Sequence, residues 1–213
     1  GCSVIHQLQD ATALKCPAST ASLFNLREDR IFYLADLEAD VQINADDVWA
    51  QGIDGTGVNV AVLDTGIDQD HPELIDSIVG CQSFVPGIPN CEDDQGHGTH
   101  VAGIITANGV DGIATTSGYL SKGVAPGAGI YMYKVCGPIN TEYGCYESDI
   151  MAAMEYTVLG PDGSLGTGDE PLTKIMSISI GGGNYKGENC DDDALAAKAN
   201  WVVNNGIAVA VAA

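Results

Sequence analysis

The fold is indicated most directly by residues 58–68, VNVAVLDTGID, where a short apolar run ends in an acidic residue. The run is rich in β-branched residues and bounded by turn residues, so we predict a buried strand over residues 58–63. Asp64 then lies at the carboxyl end of that strand. Such an acid is either a site residue or part of a turn formed with the Thr and Gly that follow it.

Three further apolar runs repeat this pattern, and helical patterns lie between the runs. The strand candidates are IYMYKV (130–135), MSISI (176–180) and IAVAVA (207–212). The helical patterns are HVAGIITA (100–107), SDIMAAMEYTV (148–158) and DDALAAKANWVVNN (192–205). We expect Ser148–Asp149 to cap the second helix and the acids at 191–193 to favour the start of the third. The alternation predicts an α/β fold, a parallel sheet flanked by helices.

Residues 1–44 differ from the rest and predict a small α+β unit. Strand patterns at 3–8, 11–16 and 30–37 surround a helical pattern at 17–29. A short helix should follow, capped by Asn44 or Asp46. We therefore divide the chain into residues 1–44 and residues 45–213.

Composition excludes some partners and indicates a compartment. The net charge of −21 argues against nucleic acid and anionic membrane surfaces as partners, and no apolar run is long enough to span a bilayer. Six of the seven cysteines form pairs close in sequence, Cys2 with Cys16, Cys81 with Cys91 and Cys136 with Cys145, which leaves Cys190. We interpret these pairs as disulfides of a secreted protein, in preference to free thiols of a cytosolic one.

The stretch DDQGHGTHVAGII, residues 93–105, holds a histidine between two glycines at the start of a helical pattern. Two readings compete. His97 is a general base oriented by Asp64, or His97 and His100 bind a metal ion together with Asp64. Because no HExxH motif is present, we prefer the first reading.

The strand pattern of MSISIGGGN, residues 176–184, ends in three glycines. These leave a backbone edge free of side chains, with which an extended peptide could pair by strand addition. The alternative is a loop that only needs positive backbone φ angles.

Taken together, Asp64 in AVLDTGID, His97 in GHGTHVAGI and the SISIGGG segment resemble the subtilisin-like serine proteases, the subtilases. The resemblance runs from residue 48 to residue 213. Residues 3–40 are similar to the second half of a subtilase propeptide. The resemblance to subtilases implies an inhibitor or chaperone segment at residues 1–44. It also implies that residues 45–213 are the N-terminal part of a catalytic domain that is truncated at its C-terminus.

The resemblance also implies a mechanism and its residues. Asp64 and His97 would belong to an Asp-His-Ser triad whose serine and oxyanion asparagine lie beyond Ala213. The residues that would bind substrate are Ser179, Ile180, Gly181 and Gly182. The implied partners are peptide substrates and the protein's own propeptide, outside the cell, and the chemistry requires no cofactor.

Structural calcium and two rival functions remain open at this point. Weak calcium candidates are Glu73, at a position where some subtilases ligate calcium, and Asp162 and Asp169 in a Gly-rich insert. The rivals are a metal-dependent hydrolase using Asp64, His97 and His100, and a non-catalytic, subtilase-like binding module.

Overall fold

The computed structural model describes residues 2–7, 12–16, 40–110, 122–139, 142–182 and 193–212. Contacts divide the chain into two units, Gly1–Ala35 and Asp36–Ala213. In the first unit, strands β1 (Ser3–Gln7) and β2 (Thr12–Lys15) pair antiparallel, and Cys2 bonds Cys16 beside them. The helix and strand predicted at 17–29 and 30–37 lie outside the described residues.

The second unit contains a five-stranded parallel sheet in the order β4-β5-β3-β8-β9. Its strands are β3 (Asn59–Asp64), β4 (Ile78–Ser83), β5 (Gly129–Lys134), β8 (Ile175–Ile178) and β9 (Ala208–Val211). Four of the five lie within two residues of the apolar runs in the sequence. The predicted α/β fold is confirmed.

Helices cover both faces of this sheet, which is why residues 60–63 of its central strand β3 are apolar and buried. The helices are α1 (Ala45–Trp49), a 3₁₀ turn (Ile75–Ser77), α2 (His97–Thr106), α3 (Glu147–Leu159) and α4 (Ala194–Asn204). Side chains alternate along β3: Val60 and Val62 pack with α2, whereas Ala61 and Leu63 pack with α3 and α4. The central strand is thus held from two sides.

Helix starts differ in part from those predicted. Helix α3 begins at Glu147 after Tyr146, which makes no side-chain cap, so the cap predicted at Ser148–Asp149 is wrong. Asn44 precedes α1 in a left-handed conformation, and its side chain forms no cap hydrogen bond either. Asp193 does cap α4, because its carboxylate accepts a hydrogen bond from the Ala196 amide at 2.8 Å. None of the helices in the described ranges has the length and apolar character needed to cross a bilayer.

The cysteine pairs predicted from their spacing are bonded. Cys81 in β4 bonds Cys91, in the loop that leads to α2. Cys136 bonds Cys145 across an antiparallel hairpin of β6 (Cys136–Ile139) and β7 (Glu142–Cys145). Cys190 lies outside the described residues.

Candidate active site

Asp64 and His97 meet at the carboxyl edge of the sheet. Asp64 is the last residue of the central strand β3 and is fully buried, and His97 is the first residue of α2. The distance between His97 Nδ1 and Asp64 Oδ1 is 2.7 Å, and 46% of the His97 side chain is exposed. The histidine is therefore held through one ring nitrogen while the rest of the ring faces the open side of the edge.

Glycine at position 98 allows helix α2 to approach the strand end this closely. A Cβ atom at Gly98 would overlap the carbonyl oxygen of Gly66 and touch Asp64 Cβ at 3.2 Å. The amide of Gly98 donates to Thr65 Oγ1 at 2.8 Å, and the amide of Thr65 donates to Asp64 Oδ1 at 2.7 Å. The glycine after the histidine is thus a packing requirement of the pair.

A further acid, which the sequence reasoning did not single out, organises the loop before His97. Asp93 accepts hydrogen bonds from the amides of Gln95, Gly96 and Thr99 and from the hydroxyls of Thr65 and Thr99, at 2.6–3.1 Å. Burial is the largest influence on this carboxyl and opposes its ionisation, but the bonds from Thr99, Gly96 and Thr65 together lower its pKa. Gly96, the residue before α2, has no side chain to cap the helix, so Asp93 takes this role through the Thr99 amide and connects the helix to the end of β3 through Thr65.

We expect Asp93→Asn to destabilise the protein, because an amide offers one acceptor oxygen where the carboxylate offers two. Loss of a helix cap costs about 1 kcal/mol, and the lost charged hydrogen bonds raise the total to about 2–4 kcal/mol. Denaturant unfolding at pH 7 would measure this loss. The carboxyl has a lowered pKa in the folded state, so its contribution is present above the unfolded pKa and is lost as pH falls through the folded one.

The neighbouring Glu92→Gln provides the matched control for that measurement. Glu92 is exposed and accepts one hydrogen bond from the Gln69 side chain, so its loss should change the free energy of unfolding by less than about 0.5 kcal/mol. Equal stability of the two variants would contradict the capping role of Asp93.

The segment after β8 lines the same cleft as the Asp64–His97 pair. The cleft is open, with a volume of about 220 Å³, and Ser179, Ile180 and Gly181 form part of its wall. Gly182 is exposed beside them but does not line it. Hairpin β6–β7 contributes another part of the wall through Cys136, Tyr143, Gly144 and Cys145. Residues predicted as catalytic and substrate-binding are therefore neighbours in space.

The candidate metal ligands do not gather into one group. In the ranges that the structure describes, no cluster of three His, Cys, Asp or Glu side chains could hold a metal ion, and Asp64, His97 and His100 form none. The Glu73 carboxylate accepts a hydrogen bond from the Gly109 amide. Asp169 accepts hydrogen bonds from the Asp162 amide and the Thr167 hydroxyl within their own loop. Calcium binding at Glu73, Asp162 or Asp169 stays a prediction.

Comparison with known proteins finds relatives described as serine proteases and subtilisins. The chain is 36% identical to the Major intracellular serine protease of Bacillus subtilis (strain 168) over 175 residues, which is 80% of this chain and 47% of that protein. It is 33% identical to a Subtilisin of Bacillus sp. (strain TA39) over 163 residues, 75% of this chain and 34% of the relative. Subtilisin Savinase of Lederbergia lenta is 52% identical over 87 residues, 41% of this chain and 29% of the relative.

The chain thus spans less than half the length of each of these relatives. The model of the family described as "Subtilase family" matches residues 55–213, which include every strand of the parallel sheet and both Asp64 and His97. The chain belongs to the subtilase family.

Proposed function

We propose that this chain is part of a serine endopeptidase and supplies two members of its Asp-His-Ser triad. The observation that carries the proposal is the 2.7 Å hydrogen bond between buried Asp64 and half-exposed His97 at the edge of the parallel sheet. Family membership and the serine protease and subtilisin names of the relatives support the same chemistry. The serine and the oxyanion asparagine are assigned to sequence beyond Ala213.

In this mechanism His97 moves the proton. It takes the proton of the serine hydroxyl as the oxygen attacks the scissile carbonyl carbon, and it returns that proton to the amine that leaves. His97 Nε2, the ring nitrogen that carries out both transfers, then activates the water that releases the acyl group. Asp64 keeps the Nδ1 proton of His97 directed toward itself and stabilises the imidazolium that forms, an interaction strengthened by its complete burial.

The substrate is proposed to be an extended peptide. Ser179 and Ile180 directly follow β8, so their backbone extends the strand into the cleft where a peptide can pair with it. Gly181 and Gly182 carry no side chain that would block this approach. Residues 1–44 are proposed to be propeptide-like, and the protein's own propeptide is a second proposed partner.

We propose that the protein is secreted, because it contains three disulfides and disulfides persist in oxidising compartments. The names of the relatives do not decide the matter, because one of them is described as intracellular. Structural calcium at Glu73 or at Asp162 and Asp169 belongs to the same proposal, since Ca²⁺ prefers oxygen ligands such as carboxylates and is available outside the cell.

Hydrolysis of a peptide by the full-length protein, the gene product that contains this chain, tests the proposal. We expect turnover that a serine-directed fluorophosphonate abolishes and that a zinc chelator leaves unchanged. Turnover lost to the chelator but not to the fluorophosphonate would indicate a metal-dependent hydrolase. Peptide binding without turnover would indicate a binding module, and either outcome would overturn the proposal.

Residues 1–213 expressed alone should not cleave peptides. The proposed nucleophile is absent, and loss of an oxyanion donor alone costs about 3–4 kcal/mol of transition-state stabilisation. Among the described residues, strand β9 pairs only with β8 and is largely exposed, so we expect a broad thermal transition in place of a cooperative one. Turnover blocked by fluorophosphonate in this chain would show that the nucleophile has been misplaced.

A further inference from the structure

The hairpin β6–β7 stands beside the Asp64–His97 pair and forms one wall of the cleft. Cys136 and Cys145 face each other in its ladder and are joined by a disulfide. This bond connects the two strands of the hairpin to each other. It does not fix the position of the hairpin relative to His97, so that position depends on other contacts.

A buried lysine at the base of the hairpin provides such contacts. Lys134 is the last residue of β5 and only 1% exposed. Its Nζ donates hydrogen bonds to the Thr65 carbonyl oxygen, to Asp94 Oδ1 at 2.7 Å and to the Tyr143 hydroxyl at 2.9 Å. A buried ammonium group is tolerated only when it is paired in this way, and all three of its protons have acceptors.

These three acceptors belong to three different segments around the cleft. Thr65 follows the catalytic strand end, Asp94 lies three residues before His97, and Tyr143 belongs to the hairpin. The Tyr143 hydroxyl also donates to Asp94 and lies 3.2 Å from the Cys136 carbonyl oxygen. One charged cluster therefore connects the hairpin to both loops that carry the catalytic pair.

The protonation states in the cluster keep these bonds in place at neutral pH. Burial first, and then the bond to Asp94, raises the pKa of Tyr143, so its hydroxyl stays protonated. For Asp94, burial is the largest influence and opposes ionisation, but the bonds from Lys134 and Tyr143 outweigh it and lower the pKa. The cluster is thus an ammonium, a carboxylate and a neutral phenol.

We propose that Tyr143 is a positioning residue that, through Lys134 and Asp94, fixes the hairpin wall at a set distance from His97 and so determines how tightly extended peptides bind. The proposal rests on the proposed function of the cleft. Tyr143 also lines the cleft itself. Loss of its hydroxyl should therefore free hairpin β6–β7 from Lys134 and Asp94, while the aromatic ring still lines the cleft. The effect should fall on substrate binding, because the Asp64–His97 hydrogen bond does not involve the cluster.

The experiment compares Tyr143→Phe, Asp94→Asn and Tyr131→Phe in the full-length protein. Tyr131→Phe is the matched control, because it also removes one tyrosine hydroxyl. Tyr131 lies in β5, and its ring packs over Gly80 and does not line the cleft. For a peptide that spans the cleft, Tyr143→Phe and Asp94→Asn should raise KM about tenfold, as expected for one lost charged hydrogen bond, and change kcat less than about twofold. The control should change neither.

Hydrogen exchange gives a second readout that does not require peptidase activity. Amides of β6 and β7 should exchange faster in Tyr143→Phe and Asp94→Asn, while those of β3 and β5 keep the wild-type rate. Equal acceleration in all four strands would indicate general destabilisation and overturn the proposal, as would unchanged KM and unchanged hairpin exchange. If the wild-type protein hydrolyses no peptide, the proposed function fails while the exchange data still decide whether the cluster fixes the hairpin.

Discussion

His97→Ala in the full-length protein should lower kcat by about 10⁶-fold, the magnitude measured when the corresponding residue is removed from subtilisin. Without the imidazole, the serine proton loses its proposed acceptor, and Asp64 itself is fully buried. Single-turnover and steady-state kinetics with a fluorogenic peptide would measure the loss. KM should change little, because the ring acts on the proton and not on peptide binding.

His100→Ala is the matched control for this result. His100 lies on the same helix, is exposed and belongs to no metal-binding group among the described residues. Its replacement should change kcat less than about twofold, in the range usual for exposed positions. Equal loss in both variants, together with inhibition by a zinc chelator, would favour the metal-dependent reading.

Asp64→Asn should lower kcat about 10⁴-fold, as the equivalent substitution does in a serine protease with this triad. The asparagine keeps the size of the side chain, but its NH₂ group can face Nδ1 and stabilise the wrong histidine tautomer. The negative charge that stabilises the imidazolium is also lost. The fully buried position makes both effects large, because water cannot compensate for them.

Thermal unfolding of the same variant separates catalysis from folding. Asp64 Oδ1 accepts hydrogen bonds from both His97 and the Thr65 amide, so an asparagine NH₂ group in its place loses the Thr65 bond, a loss of one backbone-to-side-chain hydrogen bond of the fold. We therefore expect a cooperative transition with a modest shift in Tm. Full activity in a folded Asp64→Asn variant would contradict the role assigned to the carboxylate.

The sequence was sufficient for the buried strands and for the pairing of Asp64 with His97. Strands β3, β5, β8 and β9 coincide with the apolar runs of the sequence, the pattern expected for a sheet whose central strands are covered on both faces. Of the two glycines beside His97, Gly98 contacts the end of β3. In both cases the residues that form the local sequence pattern, the apolar strand residues and Gly98, are also the residues that make the tertiary contacts.

The elements that were missed are those whose stability comes from distant partners. Strand β4 is at the sheet edge, half exposed and interrupted by Gly80, which makes room for the Tyr131 ring of β5. Hairpin β6–β7 contains Gly137, Pro138 and Gly144, which disfavour strands, and is joined by a disulfide. Their pairing could not be read from local propensity.

The polar cluster near the site was also missed, although one signal was present. Lys134 ends an otherwise apolar run, and a charge at that place in a buried strand requires partners. The partners themselves, Asp94 and Tyr143, are 40 and 9 residues away and have no motif of their own. Asp93 stands next to Asp94 with the same side chain, and only the structure separates their roles.

The central claim is that Asp64 and His97 activate a serine that this chain does not contain. Mass spectrometry of the full-length protein after fluorophosphonate labelling tests it most directly. We predict one modified serine, located after residue 213, with labelling that is lost in His97→Ala and strongly slowed in Asp64→Asn. A modified residue within 1–213, or labelling that proceeds at the wild-type rate in His97→Ala, would contradict the account.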